Sequence, residues 1–288
     1  MSERATATTS DGRRLSFDVS GRADGPAVMY FHGAGDSRLA RPPGDDLVRY
    51  AGVRMVSVDR PGYGGSDPAP GRTLMSWADD AAAVADTLAI DDFAVLGWSA
   101  GGAYALACAA AMPGRVSSCA VYGSVVPTTM PGYDEGLDDL ARRIKAGAQD
   151  RPDELREVLR AFASNPVEFA LGIIRGEDGG DDVLADEAIL AQMTANAGEA
   201  FAQGADAMTD DYLLLYAPWQ FTLDSVRCPV TVASGELDRF SPPAWGRWLA
   251  DQLPAGRFML FPGRNHSGFV QAPVFKDLLR SLVSTSPG

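Results

Sequence analysis

The sequence GWSAGG at residues 97–102 decides the fold of this chain. The apolar run FAVL precedes it and an alanine-rich stretch follows it, so we predict a strand, a sharp turn and a helix with Ser99 at the apex. Glycines let the chain pass close to its neighbours around such a strained turn. The helix behind Ser99 directs unpaired N–H groups and partial positive charge towards the apex. Because the pattern G-x-S-x-G is short, an ordinary glycine-rich turn is the alternative interpretation.

Length and composition indicate an ordinary soluble globular protein. The chain has 288 residues, of which 46% are hydrophobic and 22% are charged, so it can bury a large core. A net charge of −13 repels nucleic acid and anionic membranes, and neither is expected as a partner. No apolar run approaches the roughly 20 residues of a membrane helix. Residues 1–11 are polar and lack the pattern of a signal peptide, so a cytoplasmic location is expected.

The cysteines and histidines give no sign of a metal site. Cys108, Cys119 and Cys228 lie in apolar contexts without C-x-x-C spacing, and we predict buried free thiols rather than a disulfide. The chain has only two histidines, His32 and His266. A zinc site would need unusual ligands, so neither a metal nor another cofactor is predicted.

Short apolar runs alternate with helical patterns along most of the chain. This alternation predicts a mostly parallel sheet with helices on both faces. An early antiparallel strand is expected at residues 13–20, where apolar and polar residues alternate. The other predicted strands are 27–31, 53–58, 93–97, 118–122, 229–233 and 257–261, and the predicted helices are 76–88, 101–112, 243–253 and 274–283.

The alternation breaks between residues 127 and 216, where we find helical patterns and no convincing strand. Two of these patterns cover 136–146 and 153–163, and residues 178–182 indicate an exposed loop or hinge. We therefore expect a helical cap at 127–216, inserted into a core formed by 1–126 and 217–288. Most apolar residues of the cap are expected to form its core rather than the wall of a pocket; the candidates are Met130, Phe162, Phe169, Met193, Phe201 and Met208. The arginines of the cap are expected to face solvent; these are Arg142, Arg143 and Arg175.

A serine hydroxyl is a poor nucleophile unless a base accepts its proton and an acid orients that base. For a serine at a strand-to-helix turn the chain order is Ser, then Asp or Glu, then His. His266 is the only histidine after Ser99, and it lies in a turn-rich loop after the predicted strand 257–261. A surface-loop histidine is the alternative, but we interpret His266 as the base.

The acid is expected in the loop after the predicted strand 229–233, because catalytic groups of parallel sheets lie at the carboxyl ends of strands. This loop contains Glu236 and Asp238. We favour Asp238, since three more residues of turn bring it beside the histidine loop, while Glu236 stays an alternative acid or a solvated turn carboxylate. The loop 123–126 after the preceding strand has no carboxylate.

Backbone N–H groups must stabilise the oxyanion of an acyl-transfer reaction. One should come from Ala100, directly after the serine, and the other from Ala34 in the His-Gly-Ala-Gly sequence after the strand 27–31. The position of His32 at a strand end, before Gly33, favours a structural role for this histidine.

These motifs together resemble the α/β-hydrolase superfamily over nearly the whole chain. The motifs are Phe31–Gly35, Asp59–Asp67 (DRPGYGGSD), Gly97–Gly102, Gly235–Asp238 and Asn265-His266. The resemblance implies an eight-stranded, mostly parallel sheet flanked by helices, with an all-helical cap between strands six and seven. It also implies that the Asp59–Asp67 segment follows the fourth strand and shapes the floor of the site. Ser99 at the apex argues against epoxide hydrolases and haloalkane dehalogenases, which use Asp there, and Trp98 before it argues against prolyl iminopeptidases.

The sequence predicts a cofactor-independent serine hydrolase that cleaves a small or medium acyl substrate, a carboxylic ester or lactone, through an acyl-Ser99 intermediate. His266 is the predicted base, Asp238 the acid, and the N–H groups of Ala34 and Ala100 the oxyanion hole. Carbon–carbon bond hydrolysis and perhydrolase (cofactor-free haloperoxidase) chemistry on the same triad are alternatives, and a small-molecule receptor is a third. A monomer or homodimer is expected, with activity that falls in acid near a histidine pKa of about 6 to 7.

Overall fold

An eight-stranded sheet forms the centre of the protein. The computed structural model describes residues 3–137 and 139–283 of the chain. In chain order the strands are β1 Glu3–Thr8, β2 Arg14–Gly21, β3 Ala27–Phe31, β4 Arg54–Val58, β5 Phe93–Trp98, β6 Val116–Tyr122, β7 Val230–Gly235 and β8 Gly256–Phe261. Their order across the sheet is β1-β2-β4-β3-β5-β6-β7-β8. Strand β2 pairs antiparallel with β1 and β4, and the other neighbours are parallel, so the predicted sheet is confirmed.

Helices cover both faces of this sheet. They are α1 Asp46–Ala51, α2 Ser76–Thr87, α3 Ala100–Ala111, α10 Pro243–Gln252 and α11 Ala272–Val283. Successive side chains of a strand point to opposite faces. In β3, Met29 and Phe31 pack in the core under α2, α3 and α10, whereas Val28 and Tyr30 pack in the core under α1 and α11. Burial on both sides explains why this strand is continuously apolar.

A helical insertion separates β6 from β7. It contains α4 Asp139–Asp150, α5 Pro152–Ala163, α6 Pro166–Arg175, α7 Gly180–Leu184, α8 Glu187–Ala200 and α9 Asp206–Leu215. The described residues between β6 and β7 form no strand, as predicted. The predicted exposed loop at 178–182 was only partly right, because α7 begins at Gly180, which is buried.

Strand β1 and helix α1 of the core were not predicted from the sequence. Strand β1 lies in the polar stretch ERATAT, whose pattern does not predict a strand. It forms by pairing with β2, for example Ala7 with Leu15. Helix α1 is only six residues long. The three cysteines are free and buried, as predicted. None of the helices in the described ranges is long and apolar enough to cross a membrane.

Helix α3 begins in very close contact with the sheet. A Cβ added to Gly101 would lie 2.0 Å from the carbonyl oxygen of Phe31 at the end of β3. Added Cβ atoms at Gly97 and Gly102 would lie 2.4 Å from Gly101 O and 2.2 Å from Ser124 Oγ. The glycines around Ser99 therefore set how closely the start of α3 packs on its neighbours.

We predict opposite effects on stability for two glycine-to-alanine substitutions. Gly101→Ala should lower the free energy of unfolding by about 1–3 kcal/mol, because its Cβ forces α3 away from backbone that cannot yield. Gly198→Ala is the matched control at an exposed position of α8, where an added Cβ meets nothing within 4 Å. It should raise the free energy of unfolding by about 0.5–1 kcal/mol. Urea denaturation measures both values, and equal effects of the two substitutions would contradict this account.

Candidate active site

Ser99 lies at the apex between β5 and α3 in a conformation that residues with a side chain rarely adopt. Its φ is 55° and its ψ is −123°. The N–H of Ser99 donates to Tyr122 O at 2.9 Å, and Ser99 O accepts from the N–H of Gly102 at 2.9 Å. Strain of this kind costs about 1–3 kcal/mol and persists only where the surrounding structure enforces it. The turn places Ser99 in the wall of a cavity that it shares with His266.

His266 and Asp238 form a buried pair at the carboxyl ends of β8 and β7. His266 Nδ1 lies 2.8 Å from Asp238 Oδ2. Because an ionised carboxylate only accepts hydrogen bonds, the Nδ1 atom carries the proton and Nε2 is left as an acceptor. The other oxygen of Asp238, Oδ1, accepts the backbone N–H groups of Phe240 at 3.0 Å and Ser241 at 2.8 Å. Asp238 is thus paired with His266, and His266 lines the same cavity as Ser99.

Gly123, the first residue after β6, makes room for the Asp238–His266 pair. Its φ is 54°, and an added Cβ would lie 2.8 Å from both Asp238 Oδ2 and His266 Nδ1. Any larger residue would press directly on the hydrogen bond between them. The loop 123–126, which the sequence identified only as lacking a carboxylate, therefore requires glycine at position 123.

The surroundings of His266 raise its pKa on balance. Burial lowers the pKa of a histidine, but the charge and hydrogen bond of Asp238, with the charges of Glu177 and Asp36, outweigh burial and raise the pKa of His266 above its ordinary value. The three carboxylates come from three different loops.

Glu236, the alternative acid, lies elsewhere. It is exposed, and its Oε2 accepts the N–H of Gly263 at 2.9 Å, which links the loop after β7 to the loop after β8. Of the two carboxylates that the sequence left open, Asp238 is the one beside His266.

Comparison with known proteins identifies the family of this fold. The sequence model described as "alpha/beta hydrolase fold" matches residues 26–273, most of the chain. The chain belongs to this family. A pimeloyl-[acyl-carrier protein] methyl ester esterase from Aromatoleum aromaticum is 31% identical over 256 residues, which are 86% of this chain and 94% of that protein. A non-heme chloroperoxidase from Streptomyces lividans is 32% identical over 176 residues, 59% of each chain.

Solved structures share the fold at lower identity. The enol-lactonase from Burkholderia xenovorans LB400 has a TM-score of 0.74 and 18% identity, and the match covers 97% of this chain and 100% of that chain. At this identity the similarity supports the architecture alone. The alpha/beta hydrolase resemblance and the fold predicted from the motifs are confirmed.

In this alpha/beta hydrolase, the core holds the histidine loop through two aromatic side chains. Trp98 Nε1 donates to His266 O at 3.2 Å, and the Trp98 ring stacks on Phe269 with 5.0 Å between centroids. The hydroxyl of Tyr122 donates to Asn265 O at 2.6 Å. Trp98 and Tyr122 end adjacent strands, so the sheet itself positions the loop that carries His266.

The helical insertion holds the same loop from the opposite side. Both carboxylate oxygens of Glu177, between α6 and α7, accept from Ser267: one from its backbone N–H at 3.0 Å and the other from its hydroxyl. The amide Nδ2 of Asn265 donates to Asp178 O at 3.0 Å. Burial raises the pKa of Glu177, against the charge of His266 and the hydrogen bonds of Ser267. The insertion is thus attached directly to both neighbours of His266.

The loop after β3 is oriented by two buried side chains. His32 Nε2 accepts the N–H of Arg60 at 3.1 Å, so its Nδ1 carries the proton and donates to Gly33 O at 2.8 Å. The guanidinium of Arg60 also donates to Gly33 O, at 3.2 Å. Because N–H and C=O point to opposite sides of a trans peptide, fixing Gly33 O also fixes the direction of the Ala34 N–H. Burial, with the charge of Arg60, holds the pKa of His32 far below its ordinary value, in agreement with the predicted structural role.

Asp211 of α9 connects this loop to the insertion. Its side chain is fully buried and pairs with Arg60 and with Arg72, the latter at 2.9 Å. It also accepts the hydroxyls of Tyr63 and Tyr104, both at 2.7 Å. Five groups therefore share one internal charge centre, which is the arrangement that makes buried ions tolerable.

The cavity beside Ser99 has a volume of about 190 Å³ and a mainly apolar wall. Four cap residues expected to be core pack in the hydrophobic clusters as expected and also line the cavity; these are Phe162, Phe169, Met193 and Met208. Their spacing on helices could not distinguish a core-facing surface from a cavity-facing one, because both are apolar. Arg142, Arg143 and Arg175 are exposed, as expected.

Sequence reasoning missed several residues around the site. Gly123 could have been suspected as a glycine directly after a buried strand. Glu177 and Asp211 gave no signal, since each contacts groups about 90 or more positions away in the chain. Asp36, which also lines the cavity, directly follows the motif Phe31–Gly35, from which only a backbone N–H donor was predicted.

We predict that nuclear magnetic resonance of the two histidine rings will separate their environments. His266 should titrate above the ordinary histidine pKa of about 6.5, and His32 should stay neutral well below it. Glu177→Gln should lower the pKa of His266, because it removes one of the negative charges that stabilise the imidazolium. Glu187→Gln, at an exposed position on α8, is the control. Equal His266 titrations in the two variants would contradict a role for Glu177.

Proposed function

We propose that this chain is a serine hydrolase of carboxylic esters, with Ser99 as nucleophile, His266 as base and Asp238 as orienting acid. The observation that carries the proposal is the 2.8 Å hydrogen bond between His266 Nδ1 and Asp238 Oδ2, at a cavity whose wall includes Ser99. The similarity to the esterase of Aromatoleum aromaticum supports ester hydrolysis.

The reaction begins when Ser99 Oγ attacks the carbonyl carbon and His266 Nε2 takes its proton. Asp238 stabilises the resulting imidazolium and keeps the ring in the tautomer with Nδ1 protonated. The backbone N–H groups of Asp238's own turn, from Phe240 and Ser241, hold this carboxylate in place. The imidazolium then returns the proton to the leaving alkoxide, and the ester bond breaks to give acyl-Ser99 and an alcohol.

Two backbone N–H groups stabilise the oxyanion in this mechanism. Ala100 is the first residue of α3, so its N–H lies at the positive end of a helix. Ala34 supplies the other N–H, on the peptide whose carbonyl is held by His32 and Arg60. Because these donors are oriented before substrate binds, they need no reorganisation as charge develops. His266 then takes a proton from water, which attacks the acyl carbon, and it returns this proton to Ser99 Oγ as the acyl–Oγ bond breaks and the acid is released.

The cap limits the size and polarity of the acyl group. We propose that residues 127–216 form this cap on a core of 1–126 and 217–288. Its apolar wall suits a small or medium acyl chain, since ligand pockets are mostly apolar with a few polar groups that fix orientation. A cytoplasmic location and a monomeric or homodimeric state stay predictions.

Perhydrolysis is a second candidate on the same triad, favoured by the similarity to the chloroperoxidase of Streptomyces lividans. Here hydrogen peroxide replaces water as the attacking group on acyl-Ser99 and the product is a peracid. Product analysis with and without added peroxide distinguishes the two reactions, because ester hydrolysis proceeds without it.

Ser99→Ala should reduce hydrolysis of a p-nitrophenyl ester by about a thousandfold or more, because the nucleophile is removed while the binding groups remain. A fluorophosphonate should label the wild-type protein at Ser99 and leave the variant unlabelled. Ser164→Ala, at an exposed position after α5, is the control and should keep full activity and labelling. Undiminished hydrolysis by a folded Ser99→Ala protein would refute the proposed nucleophile.

The pH profile of kcat/KM should follow the ionisation of His266. The base must be neutral, so kcat/KM falls as the pH drops through its pKa. Since Asp238, Glu177 and Asp36 raise that pKa, the midpoint should lie above the ordinary value of about 6.5. Measurement with a neutral ester checks this, and a flat profile down to about pH 4 would be inconsistent with a histidine base.

A further inference from the structure

Asp36 is the one acidic side chain among the described residues that line the cavity. The rest of the wall is largely apolar, apart from Ser99, His266 and a few hydroxyl groups. Asp36 follows Ala34 by two positions, in the loop that orients the proposed oxyanion hole. A carboxylate at this point is unexpected, because negative charge opposes the negative charge that develops on the substrate oxygen.

One oxygen of Asp36 is firmly held by the cap. Oδ1 accepts from Asn196 Nδ2 of α8 at 2.7 Å. The orientation of the Asn196 amide is itself fixed, since its Oδ1 accepts the N–H of Ser37 at 2.8 Å and the hydroxyl of Ser37 at 2.9 Å. Asn196 is fully buried. The carboxylate therefore has a defined position rather than a freely rotating one.

The second oxygen, Oδ2, and Ser99 both flank Gly33. A Cβ placed on Gly33 would stand 2.5 Å from Asp36 Oδ2 and 3.4 Å from Ser99 Cβ. The glycine thus leaves open the space between this oxygen and Ser99. No donor in the described part of the chain forms a hydrogen bond to Oδ2, although Oδ1 has one. Oδ2 is therefore an acceptor without a donor, and Asp36 lines the same cavity as Ser99.

The environment of Asp36 makes an unsatisfied charge costly. Burial raises the pKa of Asp36 to about 6, against the Asn196 hydrogen bond and the charges of Arg60 and His266. Above that pH a carboxylate stands in a mainly apolar cavity, where an unpaired ion is unfavourable. A hydrogen-bond donor on the substrate would pair with Asp36 Oδ2. The same contact would offset the repulsion between this carboxylate and the oxyanion.

We propose that Asp36 Oδ2 accepts a hydrogen bond from a hydroxyl or ammonium group of the substrate close to the scissile carbonyl. The preferred substrates are then esters or lactones of hydroxy or amino acids rather than of plain fatty acids. The reacting carbonyl carbon approaches Ser99 Oγ to about 3–3.5 Å, so a donor on the second or third carbon of the acyl chain is within reach. An acyl group with its own carboxylate is disfavoured. This inference rests on the proposed ester hydrolysis.

Four methyl esters with a four-carbon acyl chain test the proposal: butyrate, 3-hydroxybutyrate, 3-aminobutyrate and monomethyl succinate. The rate of acid release gives kcat/KM for each ester. An ester that turns over slowly is ranked instead by how strongly it inhibits hydrolysis of p-nitrophenyl butyrate. The wild-type protein should prefer at least one donor-bearing ester to butyrate by about tenfold or more. The hydroxy and amino esters show which donor is used, and the succinate ester should be the poorest substrate.

Two substitutions at Asp36 assign the preference to its carboxylate. Asp36→Leu should abolish the preference, because no acceptor remains. Asp36→Asn keeps the volume and an oxygen that Asn196 can contact, so it should lose any preference for the ammonium and improve hydrolysis of the succinate ester. Glu199→Gln, on the same helix as Asn196 but outside the cavity wall, is the control and should keep the wild-type ratios.

Ratios between esters are read within each variant, so a general loss of activity or folding does not mimic the effect. Equal rates for butyrate and both donor-bearing esters, with ratios unchanged in Asp36→Leu, would overturn the proposal and leave ester hydrolysis intact. A uniform fall for all esters with a shifted pH profile would also overturn it, since Asp36 would then act through His266. Failure of fluorophosphonate to label Ser99, with no acid released from any ester, would instead refute the hydrolase function itself.

Discussion

The contact between the start of α3 and the end of β3 is the constraint on which the site depends. Gly101 lies so close to the carbonyl of Phe31 that no side chain fits between them. This proximity forces the chain to turn within one residue, and Ser99 takes the strained conformation that results. The same turn brings the first N–H groups of α3 beside the loop after β3. One packing distance therefore sets the exposure of Ser99 and the location of the predicted oxyanion hole.

Buried charges then determine how the loops at this edge of the sheet are held. Arg60 donates to the carbonyl of Gly33 and is itself paired with Asp211 of α9, which also binds Arg72. Removing one member of such a cluster leaves an uncompensated charge, at a cost of about 3–5 kcal/mol. A replacement of Asp211 in α9 should therefore disturb the peptide between Gly33 and Ala34. The helical insertion is therefore an integral part of the candidate site.

A similar connection reaches the base. Glu177 binds both donors of Ser267, and Asp178 accepts from Asn265, so the turn between α6 and α7 contacts both neighbours of His266. On the other side Trp98 and Tyr122 hold the same loop from the sheet. Movement of the cap would change the position of the imidazole and the negative charge around it together. Substrate binding between cap and core is thereby coupled to the base in the proposed reaction.

The sequence by itself determined most of the sheet, the turn at Ser99 and the order of Ser99, an acidic residue and His266, because strands, turns and their end residues depend on local periodicity and on glycine. The choice of Asp238 over Glu236 needed the structure, since both lie in one loop and only their directions differ. Only the tertiary structure decided the roles of Gly123, Glu177 and Asp211 and which apolar cap residues line the cavity. Those properties arise from contacts between residues far apart in the chain. The local sequence pattern does not predict which distant group a buried side chain will contact.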